Sequence, residues 1–261
     1  MQISLGVFEP VADRVYVAVA EPETVNIGLV VGTTGALLVD TGSTPGQGAA
    51  IRAAAQAVAG DVPLTHVVIT HGHHDHVGGL DAFADLITLG HRGLDAPVTQ
   101  SFGLVSAVDL GDCHVELVHF GRGHTDHDVT AVVAARGVVF FGDLLETLQA
   151  PQAGDDAWPA EWPKTLDGTL GTLQKGYVVV PGHGPMLDRE GAFIQRAEIH
   201  WHHDKAVELH DAGREATGAW QAEGWPWGQA GTEQFLARAL TRLAESGRPR
   251  KRARTLPLLN R

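Results

Sequence analysis

The sequence predicts an α/β layered domain followed by a helical extension, and three observations lead there. Short β-branched runs alternate with helical stretches from the start of the chain to Pro185. Thirty-two glycines in 261 residues call for many tight turns, and so for many short strands. Beyond Pro185 the pattern becomes helical, over Arg189 to Ala212 and Thr232 to Ser246, with Gly- and Trp-rich sequence between (Trp220, Trp225, Trp227). With 44% apolar and 19% charged residues, the chain can bury one large core, or one core plus an extension.

The elements follow in order. Arg14 to Val19, Asn26 to Val31 and Ala36 to Asp40 alternate as strands of a meander, the last two joined through Gly32 to Gly35. Pro45 suits a first helical turn, and Gln47 to Ala59 is an Ala-rich helix closed by Gly60. Leu64 to Thr70 is a buried strand that runs straight into a His-rich loop. A short helix over Gly79 to Ala84 and a strand over Leu86 to Leu89 come next. The second half repeats the succession, with strands near 114–119, 129–135 and 137–141, a helix near 164–174 and a strand from Tyr177 to Val180.

Charge and composition exclude several classes. The net charge is −12, yet six of the nineteen basic residues lie in the last fourteen positions, which hold no acid. Residues 1–247 therefore carry −18 and the tail +6. An acidic body repels phosphate backbones, which argues against a nucleic-acid binder. The basic run Arg248 to Arg254 reads either as a solvated end or as a contact to nucleic acid, to an acidic neighbouring subunit or to the chain's own body. The longest apolar runs, such as Val138 to Phe141, fall far short of the ~20 residues of a membrane span. The first ten residues have neither the basic nor the apolar part of a signal peptide. A lone cysteine, Cys113, allows no internal disulfide, so the expected setting is reducing and cytoplasmic.

Fifteen histidines carry the chemistry, and they are unevenly spread. Thr70-His71-Gly72-His73-His74-Asp75-His76 follows a buried strand directly. Side chains at i and i+2 of an extended segment point the same way, so His71 and His73 can share one metal. Asp75 and His76 fall where the chain turns into a helix and can serve a second. One oxygen and three nitrogens suit a borderline divalent ion, not a soft thiolate metal. Three further segments place a polar residue after an apolar strand with glycine close by: His124-Thr125, Gly142-Asp143 and Gly182-His183.

With these residues the chain resembles the metallo-β-lactamase-fold metallohydrolases, from about residue 13 to 187 and including Leu38-Val39-Asp40-Thr41-Gly42. The resemblance implies an αβ/βα four-layer sandwich over residues 1–187; the helical pattern beyond it reads as an extension over 188–247 packed on that sandwich, and the basic residues as a tail over 248–261. It implies a dinuclear centre in which His71, His73 and His124 hold one ion, Asp75, His76 and His183 hold the other, and Asp143 bridges them. Asp40 falls where the family steadies the ligand cluster. Zinc is the first expectation for the two divalent ions, with iron or manganese accepted by the same ligands. A metal-bridging water, its pKa lowered towards ~7, would attack the substrate, with Asp75 as proton donor to the leaving group.

Asp at 143, where antibiotic-hydrolysing zinc β-lactamases commonly have Cys or no bridging acid, favours a general hydrolase. The expected substrate is a small ester, thioester, lactone or lactam. The alternatives are a mononuclear iron dioxygenase resembling the persulfide dioxygenases, using His71, His124 and Asp143, and a non-catalytic metal-binding protein. Trp158 and Trp162 read as an apolar wall over the metals or as packing, and His127 as a substrate contact or a loop residue. His200, His202, His203 and His210 read as a further metal face or as an ordinary helix face. Tyr177, Lys205 and Arg214 suggest a thiol-peptide site only loosely. The Ala-rich helix and the Trp-rich end are compatible with a homodimer.

Overall fold

The computed structural model describes residues 3–221 and 224–250. In the first half, β1 (Ser4–Leu5) and β2 (Glu9–Ala12) pair with opposite ends of β3 (Val15–Glu21), which continues as a meander through β4 (Val25–Val31) and β5 (Ala36–Val39). Helix α1 (Pro45–Ala59) then crosses back, so that β6 (Leu64–Val68) lies parallel to β5. Thr44 caps that helix, its hydroxyl accepting from Gln47 N–H, and Ile51, Ala55 and Ala59 form its buried face. After α2 (His74–Val77), β7 (Ile87–His91) and β8 (Gln100–Phe102) add to the same edge, both parallel.

The second half is a meander of β9 (Val105–Asp109), β10 (His114–Val118), β11 (Thr130–Val133) and β12 (Val138–Glu146). Helix α3 (Trp162–Leu170) crosses back to β13 (Val178–His183), parallel to β12. The two half-sheets join through one residue pair, His183 with Val25, where β13 meets β4. Helices α4 (Arg189–Ala212) and α5 (Gln229–Glu245) close the chain.

Three apolar layers explain the stacking. Val17, Val30, Leu37 and Val39 face Val115, Leu117, Val138 and Phe140 between the half-sheets. Ile27, Leu29 and Leu38 pack under α1 with Ile51 and Phe83. Val139, Phe141 and Val179 pack under the other helices with Trp162, Leu166, Ile199, Phe235 and Leu236. The order is helix, sheet, sheet, helix, the αβ/βα sandwich that the resemblance implied, and α4 and α5 share the outer layer with α3. Among the described residues no helix is long and apolar enough to cross a membrane.

Seven elements differ from the sequence expectation. Strand β12 does not end at Phe141: all nine of its residues are buried, and irregular register against β13 after Phe140 lets the strand absorb Gly142 and Asp143 and continue through Leu144-Leu145. Strand β13 likewise runs on to His183. Helix α3 starts at Trp162, with Pro163 in its first turn. The short strands β1, β2, β8 and β9 carry no apolar run that would announce them; their burial is partial, as befits edges.

In α4, His202 is fully buried, its ring stacked on Trp227 at 3.6 Å and 12°. Its Nδ1–H donates to the Glu198 carbonyl at 2.8 Å, and burial pushes its pKa down to about 4. The folded protein takes up this proton less readily than the unfolded chain, so the stability contribution is complete above pH ~6.5 and is lost as pH falls towards 4. His202→Phe is expected to narrow the stability difference between pH 7 and pH 4.5 by roughly 2–3 kcal/mol, read from urea unfolding at both pH values. An unchanged difference would show that His202 does not govern it.

Candidate metal centre

Seven side chains from separate elements converge at the end of the sheets where the two halves meet. His71 and His73 lie in the loop after β6, Asp75 and His76 in α2, His124 in the loop after β10, Asp143 inside β12 and His183 at the end of β13. One ligand atom from each of His71, His73, His124 and Asp143 lies within 4.8 Å of the others, and the same holds for Asp75, His76 and His183. Asp143 stands between the groups: its Oδ1 is 3.2 Å from His76 Nε2, and its Oδ2 is 3.4, 3.5 and 3.7 Å from the Nε2 atoms of His183, His124 and His71.

Every imidazole is tied on its outer side. His71 Nδ1–H donates to Thr70 Oγ1 (3.1 Å), His76 Nδ1–H to Asp40 (2.8 Å), His124 Nδ1–H to the Gln152 carbonyl (3.0 Å) and His183 Nδ1–H to the Glu23 carbonyl (2.8 Å). His73 is reversed, donating from Nε2 to Asp156 at 3.0 Å. Each ring therefore turns its second nitrogen inward, where it can hold either a proton or a metal ion. His73 Nδ1 and His124 Nε2 face each other at 2.8 Å, and His76 and His183 Nε2 at 3.4 Å. Two lone pairs so close repel unless a proton or a metal ion stands between them. His71 Nε2 and Asp143 Oδ1 are buried with no hydrogen-bond partner, a costly state that a bound ion would relieve. Nitrogen and carboxylate donors in this arrangement fit divalent zinc, iron or manganese.

The local fold explains the placement. Asp40, at the end of β5, has φ +65, a left-handed conformation that Asp tolerates better than most residues. From there its carboxylate accepts from Thr70 N–H, Thr70 Oγ1–H and His76 Nδ1–H, each at 2.8 Å. Asn26 in β4 donates to the Pro181 and Gly184 carbonyls (2.9 and 2.8 Å), fastening the turn that carries His183 across the sheet junction. At Gly182 a Cβ would lie 1.8 Å from Asp143 Oδ1, so only glycine leaves that carboxylate its room. Buried Asp128 accepts from the Thr125 backbone and hydroxyl and shapes the loop after His124.

The charges balance in a specific way. Burial lowers the pKa of His71 and of His124, keeping those rings neutral. Burial acts the same way on His183, but hydrogen bonds to Asp143 and Asp75 outweigh it and push it up to about 10. His76 is raised against its burial by Asp143 and Asp40. Asp75 is driven up by burial, yet the His183 hydrogen bond and the charge of His76 bring it down to about 2. Asp143 is held far below the usual carboxylate range by His76 and His71 in spite of its burial. Without ions, protons on His76 and His183 neutralise the two carboxylates; ions would take their place.

Asp156, Asp128, Asn26 and Glu146 had no signal in the sequence. Asp156 orients His73, and buried Glu146 accepts from Gln152 N–H (2.9 Å), which holds the carbonyl that His124 uses. Trp158 and Trp162 do not form a wall over the site. Trp162 is fully buried with its indole N–H on the Leu144 carbonyl (3.0 Å), while Trp158 is sandwiched between the Arg122 and Arg242 guanidiniums at 3.6 and 3.7 Å. His127 Nε2 accepts from Gly72 N–H at 3.0 Å and so fastens the ligand loop. Among the described residues, candidate ligands gather only in the two groups above, not along α4, where His200 and His203 lie near Asp204 and His210 near Asp211. Tyr177, Lys205 and Arg214 lie elsewhere: Tyr177 donates to the Ala134 carbonyl, and the other two line a cavity against α4. Arg248 approaches Asp211 at 3.8 Å; residues 251–261 of the basic tail lie outside the described residues.

Comparison with known proteins bears on the fold. The profile of the Metallo-beta-lactamase superfamily matches residues 20–93. A metallo-beta-lactamase type 2 from Bacillus sp. (strain 170) is 28% identical over 138 residues, covering 48% of this chain and 54% of its own. The human metallo-beta-lactamase domain-containing protein 1 is 36% identical over 163 residues, 58% of this chain and 59% of its own. The chain thus spans little more than half the length of either relative. The solved structure of a metallo-beta-lactamase from Pontibacter korlensis superposes with a TM-score of 0.66 at 21% identity, over 76% of this chain and 99% of that one. The chain has the metallo-β-lactamase fold, and over residues 20–93 it matches the profile of that superfamily. Family and His/Asp cluster together support hydrolase-type chemistry that depends on divalent metal.

Asp40→Ala would strand two donors of Thr70 and one of His76 in a buried setting. The expected result is a loss of about 3–5 kcal/mol in urea unfolding of the metal-free protein. A loss under about 1 kcal/mol would mean that Asp40 does not anchor the cluster.

Proposed function

We propose that the protein is a metal-dependent hydrolase acting on a small ester, thioester, lactone or lactam, with two divalent ions, zinc first among them. The observation that carries this reading is the inward second nitrogen of each of five outwardly tied imidazoles, arranged in two groups around Asp143. His71, His73 and His124 would hold one ion, Asp75, His76 and His183 the other, and Asp143 would stand between them. Ions so held supply Lewis acidity towards the scissile carbonyl and lower the pKa of water from ~15.7 towards ~7.

The chain's own residues supply the rest. Asp40, Asp156, Gln152 and Glu23 fix the rings, so little reorganisation is needed during reaction. The Asp143 carboxylate screens the repulsion between two like charges. Asp75, which borders the cavity over the ligands, is ionised and can give up a proton only after receiving one. It would accept a proton from the attacking water and pass it to the leaving group. A complete second ligand group favours hydrolysis over the dioxygenase reading, in which His71, His124 and Asp143 suffice.

The zinc-loaded protein is expected to turn over at least one member of an ester, thioester, lactone and lactam panel, with activity lost to chelator and restored by zinc. Asp143→Ala should bind one ion fewer and lose at least 100-fold in kcat/KM, read by elemental analysis and steady-state kinetics. A single iron with oxygen uptake on a persulfide, or unaltered turnover in Asp143→Ala, would overturn the proposal.

A further inference from the structure

The surroundings of the metal centre carry information about the substrate. The cavity over the ligands, about 240 Å³, is lined by Glu23, Asp75 and Asp143, and by no Lys or Arg among the described residues. Arg122, the basic residue nearest in sequence to His124, is committed: its guanidinium binds both Glu161 oxygens and lies on Trp158. A substrate with a carboxylate or phosphate remote from its reacting group would find no Lys or Arg here. It would also face a body, residues 1–247, of charge −18. Leu148, 54% exposed, is the large apolar side chain on the wall.

That cavity is smaller than the ~300–1,000 Å³ usual for ligand sites. A second cavity of about 430 Å³ adjoins it across the 147–151 segment, and Gln149 lines both. Ala150, Pro151, Leu187, Ile194, Pro226 and Trp227 supply its apolar surface. Its polar groups are largely engaged. Glu198 accepts from Trp227 Nε1–H at 3.0 Å, and the Gln195 amide is bonded at both ends to the Glu146 backbone. The cavity offers a ligand both polar and apolar wall, with Ile194 54% exposed on the apolar side; Met186, next to Leu187 but outside the cavity lining, is 40% exposed. Exposed apolar side chains grouped beside a polar site mark a binding groove more often than chance scatter.

We propose that the substrate is an uncharged ester, thioester or lactone with a medium-length apolar acyl chain, which passes Leu148 and Gln149 into the second cavity and lies against Leu187 and Ile194. The proposal rests on the hydrolase reading and refines it. Water adds to the carbonyl carbon, the C–O or C–S bond breaks, the alcohol or thiol leaves with a proton, and the acyl group leaves as carboxylic acid. Each acyl methylene withdrawn from water favours binding about fourfold.

Two readouts test it. With zinc-loaded protein, kcat/KM for 4-nitrophenyl octanoate should exceed that for the acetate at least tenfold. It should also exceed that for 4-nitrophenyl hydrogen suberate, the same chain ended by a carboxylate, at least tenfold. Ile194→Asp should cut the octanoate-to-acetate ratio at least fivefold, a ratio that does not depend on how much of the protein is folded. Independently of turnover, octanamide should bind the protein, followed by tryptophan fluorescence, at least tenfold more tightly than suberamic acid. Equal handling of charged and uncharged chains, or a flat chain-length profile, overturns the proposal. If no ester is hydrolysed and octanamide still shows this preference, the groove stands and the hydrolase reading fails.

Discussion

Five imidazoles can point lone pairs at one another only if something positive lies among them, and the rest of the site follows from that constraint. Left alone, His73 against His124 and His76 against His183 are repulsive pairs, closed in by buried carboxylates that are expensive to desolvate. Protons can relieve part of this, which is why His76 and His183 hold theirs so tightly. Divalent cations relieve all of it. The outward hydrogen bonds prevent the rings from turning away, so the arrangement is a preformed demand for charge rather than a loose cluster.

The fold meets that demand by splitting the ligands between two half-sheets that touch at a single residue pair. The loop after β6 and α2 bring four ligands from the first half; β10, β12 and β13 bring three from the second. Asn26 ties the junction, and the apolar layer between the sheets fixes the distance between the halves. Sites set at strand ends on a rigid scaffold gain precision from the sheet and freedom from the loops. The loop between β12 and α3 shows both: Asp156 and Gln152 on it orient ligands, while Leu148 and Gln149 border the space a substrate would occupy.

Much of this was legible in the residues themselves. The His71 to His76 cluster announces itself because an apolar strand, a glycine and a helix start impose known directions on consecutive side chains. Asp143 and His183 were marked by glycines after apolar runs, although the strands continue through both, because polar residues at a sheet end read as loop. Asp156, Asn26 and Asp128 were invisible, since each acts through tertiary placement: Asp156 meets His73 across 83 positions of chain, and no local pattern encodes that. The roles of Trp158 and Trp162 depended on which arginines and which carbonyl surround them, again a tertiary matter. The edge strands were missed because two to five partly exposed residues carry too weak a pattern.

The most direct measurement of the central idea is calorimetric titration of the metal-free protein with zinc at pH 8, in two buffers of different ionisation enthalpy. It counts both the ions bound and the protons displaced. Two zinc ions should bind per chain, with the release of at least two protons, those held on His76 and His183. Binding of a single ion, or uptake of zinc with no proton released, would contradict it.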